Sequence, residues 1–288
     1  MTLLDDSRRT RPTTPPPAGG SATAVDQRVV RRRLGPGRRI PFGGLVGVTL
    51  LLLAWCVGSA TGLLDPRTLS EPWTVIATAG DLVEDGRLQE GLATSAVRAA
   101  LGLVLGVAVG VVLAIISGLS RVGESLVDGP VQVKRSIPSL ALIPLLIVWF
   151  GINEEMKVIT IALGVLVPVY IHTHNGLRGI DGRYAELAET VGVGRVEFLR
   201  TVVVPGAMPG FLLGLRFAVT SALLALVVVE QVNTTSGIGY LITLASSYGQ
   251  TDVIVVGLVV YAALGLLADT AVRIVERKVL TWRRTLDS

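Results

Sequence analysis

An all-α integral membrane protein of about six transmembrane helices is the fold class this sequence predicts, and three observations predict it. Half of the 288 residues are hydrophobic, 17% are charged, and the mean hydropathy is +0.63, far from the balance of a soluble domain. Six apolar segments follow one another at roughly 42–60, 95–117, 134–151, 157–175, 207–230 and 252–272. Each approaches the roughly 20 residues needed to cross a bilayer, and little chain is left over for a large soluble domain. Finally, Lys and Arg gather in alternate connections, as they do when successive loops face opposite sides of a membrane.

Residues 1–40 form a tail rich in Pro, Thr, Gly and Arg, with Pro15-Pro16-Pro17 and Arg31-Arg32-Arg33. Such a composition buries too little apolar surface to order itself, so a disordered basic cytoplasmic tail is expected. A nucleic-acid-binding arm is the sharper alternative. A cleaved signal peptide fits poorly, because the tail is long and the run after it is span-length. The first span, 41–62, holds Cys56, the only cysteine, so an intrachain disulfide and a thiolate metal cluster are both excluded. A small buried side chain is its expected role.

Residues 63–93 read as an extracytoplasmic segment that forms one amphipathic helix on the bundle. The core, 94–275, opens with Gly102, Gly106 and Gly110 on one face of the second span, a spacing that lets backbones pack closely in lipid. The third span is the weakest. Pro138 and Pro144 interrupt it, and Pro is tolerated in lipid only where neighbours satisfy the freed carbonyls, so it is placed inside the bundle. His172 and His174 end the fourth span two residues apart, which puts them on different helical faces and argues against a metal site. Residues 276–288 are read as a cytoplasmic C-terminal tail.

Orientation follows from the loops. The tail, 118–136, 176–205 and the C-terminus carry most basic residues, among them Arg121, Lys134, Arg178, Arg195, Arg273 and Lys278. The alternate loops hold little besides Arg67, Arg87 and Lys157, with Asp81, Glu84, Asp85 and Glu90 frequent. Both termini and the 176–205 loop are therefore expected in the cytoplasm, and an even number of spans agrees.

Charges inside spans are costly and signal function by default. Arg98 and Glu230 are placed near the outer ends of their spans, where an ion pair and snorkelling to the headgroups are both open. Arg216, in Gly214-Leu215-Arg216, lies deeper and is expected to brace the bundle, with Asp269 near a cytoplasmic end. The spans offer no constellation of acid, base and nucleophile, and no G-x-x-x-x-G-K-[ST] occurs, so neither catalysis nor ATP hydrolysis by this chain is expected.

The most telling stretch runs from Tyr184 and Ala185 through Glu186, Leu187, Ala188, Val191, Gly192 and Val193 to Pro205. Leu187, Ala188 and Val191 fall on one helical face, Gly192 and Gly194 are suited to ending the helix, and a short second helix follows through Arg195, Phe198 and Leu199. A small apolar knob with a charged rim results, well made for docking. These residues resemble the loop of binding-protein-dependent ABC importer membrane subunits, written E-A-A, three residues, Gly, nine residues, I-x-L-P. Glu186, Ala188, Gly192, Val202, Val204 and Pro205 keep its spacing, while Leu187 stands for its first Ala.

Further residues are similar to sulfonate, nitrate and taurine permeases: Ser95-x-x-Arg98, Ser136-Ile137-Pro138, Trp149-Phe150-Gly151-Ile152, Gly214-Leu215-Arg216, Ser236-Gly237-Ile238-Gly239-Tyr240, Gln250-Thr251-Asp252-Val253, Leu267-Ala268-Asp269 and Glu276-Arg277. The resemblance covers about residues 60–280 and is greatest to aliphatic sulfonate permeases. It implies a type I importer bundle in the bacterial inner membrane and a homodimer with a second copy of the permease. It also implies two ABC ATPase subunits that bind ATP and Mg, and an extracytoplasmic substrate-binding protein. The chain itself then needs no cofactor. Taurine, nitrate, bicarbonate or a vitamin precursor are alternative solutes. An ion-coupled secondary transporter would show an inverted repeat and a midplane ionisable pair. An intramembrane enzyme would show paired carboxylates or His within the spans.

Overall fold

The computed structural model describes residues 43–232 and 234–282, with side chains from residue 46, and all described regular elements are helical. The expected tail 1–40 and the last six residues, 283–288, lie outside the described residues.

Four helices are long and apolar enough to cross a membrane: α3 (Arg87–Leu119), α6 (Glu154–Arg178), the run Arg195–Gln231, and α11 (Thr251–Val279). They contain the expected spans 95–117, 157–175, 207–230 and 252–272. α1 (Gly43–Ala60) is apolar but shorter. The expected span 134–151 is not one rod. α4 (Arg121–Ser136) stops before Pro138, and a 3-10 turn (Ser139–Leu142) leads into α5 (Ile143–Phe150) after a bend of 89°. The physical reason is local. The Pro138 ring excludes the helical conformation at Ile137, which adopts φ −100° and ψ 119°. Nor is this segment wrapped inside the chain. Ile143 and Leu146 are buried, but Val148 and Trp149 are 79% and 65% exposed.

The expected single helix over 63–93 is also divided. α2 (Pro72–Glu84) ends at Asp85-Gly86, where Gly86 has φ 77°, and residues 87–93 already belong to α3. Ser70 Oγ and Thr251 Oγ1 lie 2.5 Å apart, and Thr78 Oγ1 donates to Asp252 at 2.7 Å, so α2 is strapped to the start of α11. Its buried Val75 and Leu82 pack with Val256. Cys56, expected to be buried, is exposed on α1.

The core is a three-helix slab with α6 in the middle. Ile161, Val165 and Val169 of α6 meet Ala218, Ala222, Ala225, Leu226 and Val229 of α9 (Val204–Gln231). On the other side the α3 glycines admit α6. A Cβ at Gly102 would stand 2.5 Å from Ile161 Cγ2, at Gly106 2.6 Å from the Ala162 carbonyl, and at Gly110 2.9 Å from the Leu166 carbonyl. A second small-residue stripe, not foreseen from the sequence, does the same on α9. A Cβ at Gly210 would stand 2.6 Å from the His172 carbonyl, and at Gly214 3.0 Å from the Pro168 carbonyl. Two faces of α6 are thus held at backbone distance, where dispersion and weak C–H···O contacts replace the missing hydrophobic drive.

The two histidines have separate aromatic partners: His172 stacks on Phe217 at 5.1 Å and His174 on Tyr170 at 5.6 Å. Among the described residues no group of His, Cys, Asp and Glu could hold a metal.

Gly210→Val is expected to lower the unfolding temperature of the purified protein, since overpacking against a backbone atom costs about 1–3 kcal/mol. Gly80→Ala on α2, with nothing within 4 Å of the new Cβ, should leave it unchanged or raised. Equal behaviour of the two variants in a melt would contradict the close-approach reading.

Candidate functional site

Two regions gather the residues singled out from the sequence. The first is the segment between α6 and α9. After Arg178, which pairs with Glu124 of α4, the chain turns at Gly179–Gly182 into α7 (Arg183–Val191). Asp181 starts the helix, its Oδ1 accepting the Arg183 N–H at 3.0 Å. Gly192 ends it at φ 79°, and the Val193 N–H reaches back to the Ala188 carbonyl at 2.9 Å, a Schellman closure. Gly194, expected to share the turn, is extended at φ −68° and ψ 153°, a conformation open to any residue.

Tyr184, Leu187 and Val191 are 55%, 59% and 70% exposed, and Glu186 and Glu189 are exposed beside them. Ala185, Ala188 and Val193 are half-buried. The knob therefore projects, and nothing within the described chain covers it. The short helix expected after Gly194 is not separate from the next span. α8 (Arg195–Phe198) continues through a π-helical turn (Leu199–Val203) into α9. The Val204 N–H bonds the Leu199 carbonyl there, a one-residue slip just ahead of Pro205, whose nitrogen has no hydrogen to donate. At the base, a Cβ on Gly176 would stand 2.9 Å from the Ala207 carbonyl. Both ends of the projecting segment are thus rooted in the tightest part of the α6–α9 crossing.

The second region is a buried charge cluster. Arg98 and Glu230 form an ion pair at 2.8 Å, with side chains 3% and 0% exposed, so the snorkelling alternative fails. The Arg98 guanidinium also donates from Nε and Nη2 to both Glu154 oxygens, at 2.6 and 2.7 Å, and from Nη1 to the Ser236 carbonyl at 2.7 Å. The Glu230 carboxylate accepts from Ser95 Oγ at 2.8 Å, the Gly239 N–H at 3.0 Å and the Tyr261 hydroxyl at 2.8 Å. Lys157 Nζ, itself buried, shares Glu154 at 2.7 Å. Two cations and two carboxylates give a neutral set, in which the buried Arg98, Lys157 and Glu230 are balanced by Glu154 at the surface.

The glycines of Ser236-Gly237-Ile238-Gly239 follow from this cluster. Gly237 has φ 112°, and a Cβ there would collide with the Glu230 carboxylate. At Gly239 it would lie 2.5 Å from Glu230 Cβ. The Ile238 N–H in turn donates to Ser95 Oγ at 2.9 Å and starts α10 (Ile238–Tyr248). The cluster joins α3, α6, α9, α10 and α11 at one point. It is a structural lock, buried at Arg98 and Glu230, that reaches the surface at Glu154, whose side chain is 59% exposed.

Glu154, Lys157 and Tyr261 join the cluster without a distinctive mark in the sequence. The i,i+3 spacing of Glu154 and Lys157 is the available signal, but it reads equally well as a surface pair. Arg216 reaches across to α11: its Nε donates to Asp269 at 3.1 Å, and Arg273 holds the same carboxylate at 2.7 Å. Lys134, counted among the loop cations, instead reaches the Leu163 carbonyl near the middle of α6 and Ser139 Oγ at 2.6 Å.

Arg98→Ala and Glu230→Ala should each destabilise the protein by about 3–5 kcal/mol, because each strands a buried charge. The double variant should lose clearly less than the sum, in a cycle read by denaturant unfolding in detergent. Additive losses would contradict the pairing.

Comparison with known proteins places these features. Residues 106–281 match the family described as binding-protein-dependent transport system inner membrane component. SsuC of Bacillus subtilis (strain 168), a permease protein named for aliphatic sulfonates transport, is 36% identical over 94% of this chain and 98% of its own. SsuC of Escherichia coli (strain K12), named likewise, is 42% identical over 81% and 88%. TauC of the same organism, a taurine transport system permease protein, is 29% identical over 82% and 87%. Among solved structures, an amino acid ABC transporter superposes with a TM-score of 0.57 at 18% identity, covering 69% of this chain and 97% of that one, a likeness of fold. The chain belongs to the binding-protein-dependent inner membrane components, the permease subunits of ABC importers, and is a transport component rather than an enzyme.

Proposed function

We propose that this permease forms the path by which an ATP-driven importer brings aliphatic sulfonates into the cell. The observation that carries the choice of solute is that the two relatives at 36% and 42% identity are both named for aliphatic sulfonates transport. Taurine, named for a third relative, bears the same sulfonate group. The path is built from two copies of this chain. An extracytoplasmic binding protein delivers the anion, and two ATPase subunits bind and hydrolyse ATP with Mg on the cytoplasmic side. Both termini and the 176–205 loop face the ATPases. Lys134 counts for less in that orientation, but Arg121, Arg178, Arg195, Arg273 and Lys278 still favour it.

Energy enters at α7. Tyr184, Ala185, Glu186, Leu187, Ala188, Val191, Gly192 and Val193 seat in an ATPase groove, and Pro205 marks where the following helix enters the bundle. A closed Schellman turn resists bending, so a push on the knob is delivered to the α6–α9 crossing rather than absorbed in the loop. That crossing, built on backbone contacts, shifts as a packed unit.

The test is uptake of labelled ethanesulfonate into proteoliposomes holding the permease and its ATPase, with binding protein outside and ATP inside. ATP-dependent uptake is expected, and its absence with all partners active would reject sulfonate as cargo. In the same assay Gly192→Val is strained by about 1–2 kcal/mol at its positive φ, while nothing lies within 4 Å of the added Cβ. It should insert normally yet transport at a small fraction of the wild-type rate. Normal transport by this variant would reject the rigid-turn mechanism.

A further inference from the structure

Among the described cations that are not exposed, Lys134 is the one that neither the lock nor the α9–α11 brace uses. Arg98, Lys157 and Arg216 each hold a carboxylate. Among the described residues Lys134 holds none: its ammonium is met only by the Ser139 hydroxyl and the Leu163 carbonyl, two neutral acceptors. Leu163 lies near the middle of the 25-residue α6, so the charge sits at mid-depth, half-buried in an otherwise apolar slab. An ammonium has three protons to donate, and two are engaged. A membrane-embedded charge compensated by dipoles alone is costly, and persists where a mobile counter-ion or water reaches it.

The surroundings point the same way. Lys134 lies four residues before Pro138, at the 89° break between α4 and the α5 segment. Secondary transporters place solute sites at broken helices near the midplane, and in any membrane protein unwound backbone at that depth is tolerated only beside protein or an aqueous path. α5, beyond the break, is left largely uncovered by this chain, with Val148 and Trp149 outermost. The Leu163 carbonyl adjoins Gly164, whose usual helical donor is lost to Pro168, so α6 is also loosened at this level.

We infer that Lys134, with Ser139 beside it, is the transit contact for the anionic head group of the cargo. The inference rests on the reading of the cargo as a small organic anion. One sulfonate oxygen accepts the free N–H of Lys134, and another takes the Ser139 hydroxyl from the Leu163 carbonyl, to which it donates over a long 3.4 Å, replacing water shed on entry. The neutral acceptors hold the ammonium in place between turnovers, and a single cation keeps the anion loosely enough to let it leave.

The chain has three lysines, Lys134, Lys157 and Lys278, which gives a direct assay. Purified full-length permease is treated with an amine-acylating reagent, and the three sites are followed by peptide mass spectrometry. Sodium ethanesulfonate should slow acylation of Lys134 saturably, by about tenfold near ten times its Kd, while Lys278 is unaffected and neutral dimethyl sulfone protects neither. In the reconstituted importer Lys134→Arg should keep most uptake, whereas Lys134→Met should lose at least about tenfold, as expected for one charge-assisted hydrogen bond. A melt separates this from unfolding. If Lys134→Met does not fold, the decision falls to Lys134→Arg and to acylation of the wild type. Wild-type uptake of ethanesulfonate with equal uptake by Lys134→Met, or with Lys134→Arg folded but inactive, overturns the transit role and leaves the cargo intact. No wild-type uptake of ethanesulfonate, with Lys134 protected by nitrate, overturns the cargo and leaves the anion contact. Protection by neither anion overturns the contact.

Discussion

The buried pairing of Arg98 with Glu230 is the constraint on which the rest of the bundle depends. Neither charge could enter the apolar slab alone, and their neutralisation decides much else. Glu154 and Lys157 balance the count, Ser95 and Tyr261 satisfy the remaining carboxylate lone pairs, and the 236–239 turn must approach so closely that two glycines are required. Five helices meet there. The lock consequently defines one end of the bundle as a fixed frame.

At the opposite end the chemistry changes from charge to shape. Gly176 and Gly210 bring α6 and α9 to backbone contact, and the α7 segment springs from both helices at that place. In the proposed mechanism, a frame held by buried ions at one end and a crossing held only by packing at the other act as a lever with a fixed pivot. On that proposal, displacement applied to the knob is resisted where desolvated charges would separate and taken up where the α6–α9 crossing shifts as a packed unit. This asymmetry supplies a physical basis for alternating access by a permease, with Lys134 at the level between the two ends.

Much of this was legible in the sequence because it depends on local rules. The four long spans follow from apolar length, the α3 glycine stripe from its four-residue spacing, and the turn at Gly192 from the need for positive φ. The Arg98–Glu230 pair was open to two readings, since sequence gives the depth of a charge but not its partner. Other features were hidden for stated reasons. The break at Ile137 needed the geometry that Pro138 imposes on its predecessor, beyond a weakened span. The reach of Lys134 into α6 depends on α4 turning inward, which no periodicity reports. Glu154 and Lys157 look like an exposed i,i+3 pair; Glu154 is indeed exposed, and only the position of Arg98 ties the pair, with its buried Lys157, to the interior.

The central claim is that mechanical work enters through a knob on the cytoplasmic face. A single cysteine at Leu187, introduced after replacing Cys56 by Ser, reports on it through a membrane-impermeant thiol reagent in sealed vesicles of each orientation. The account predicts labelling only in inside-out vesicles, and loss of that labelling when the ATPase subunits are bound. Labelling from the outer face, or labelling unaffected by the bound ATPase, would contradict it.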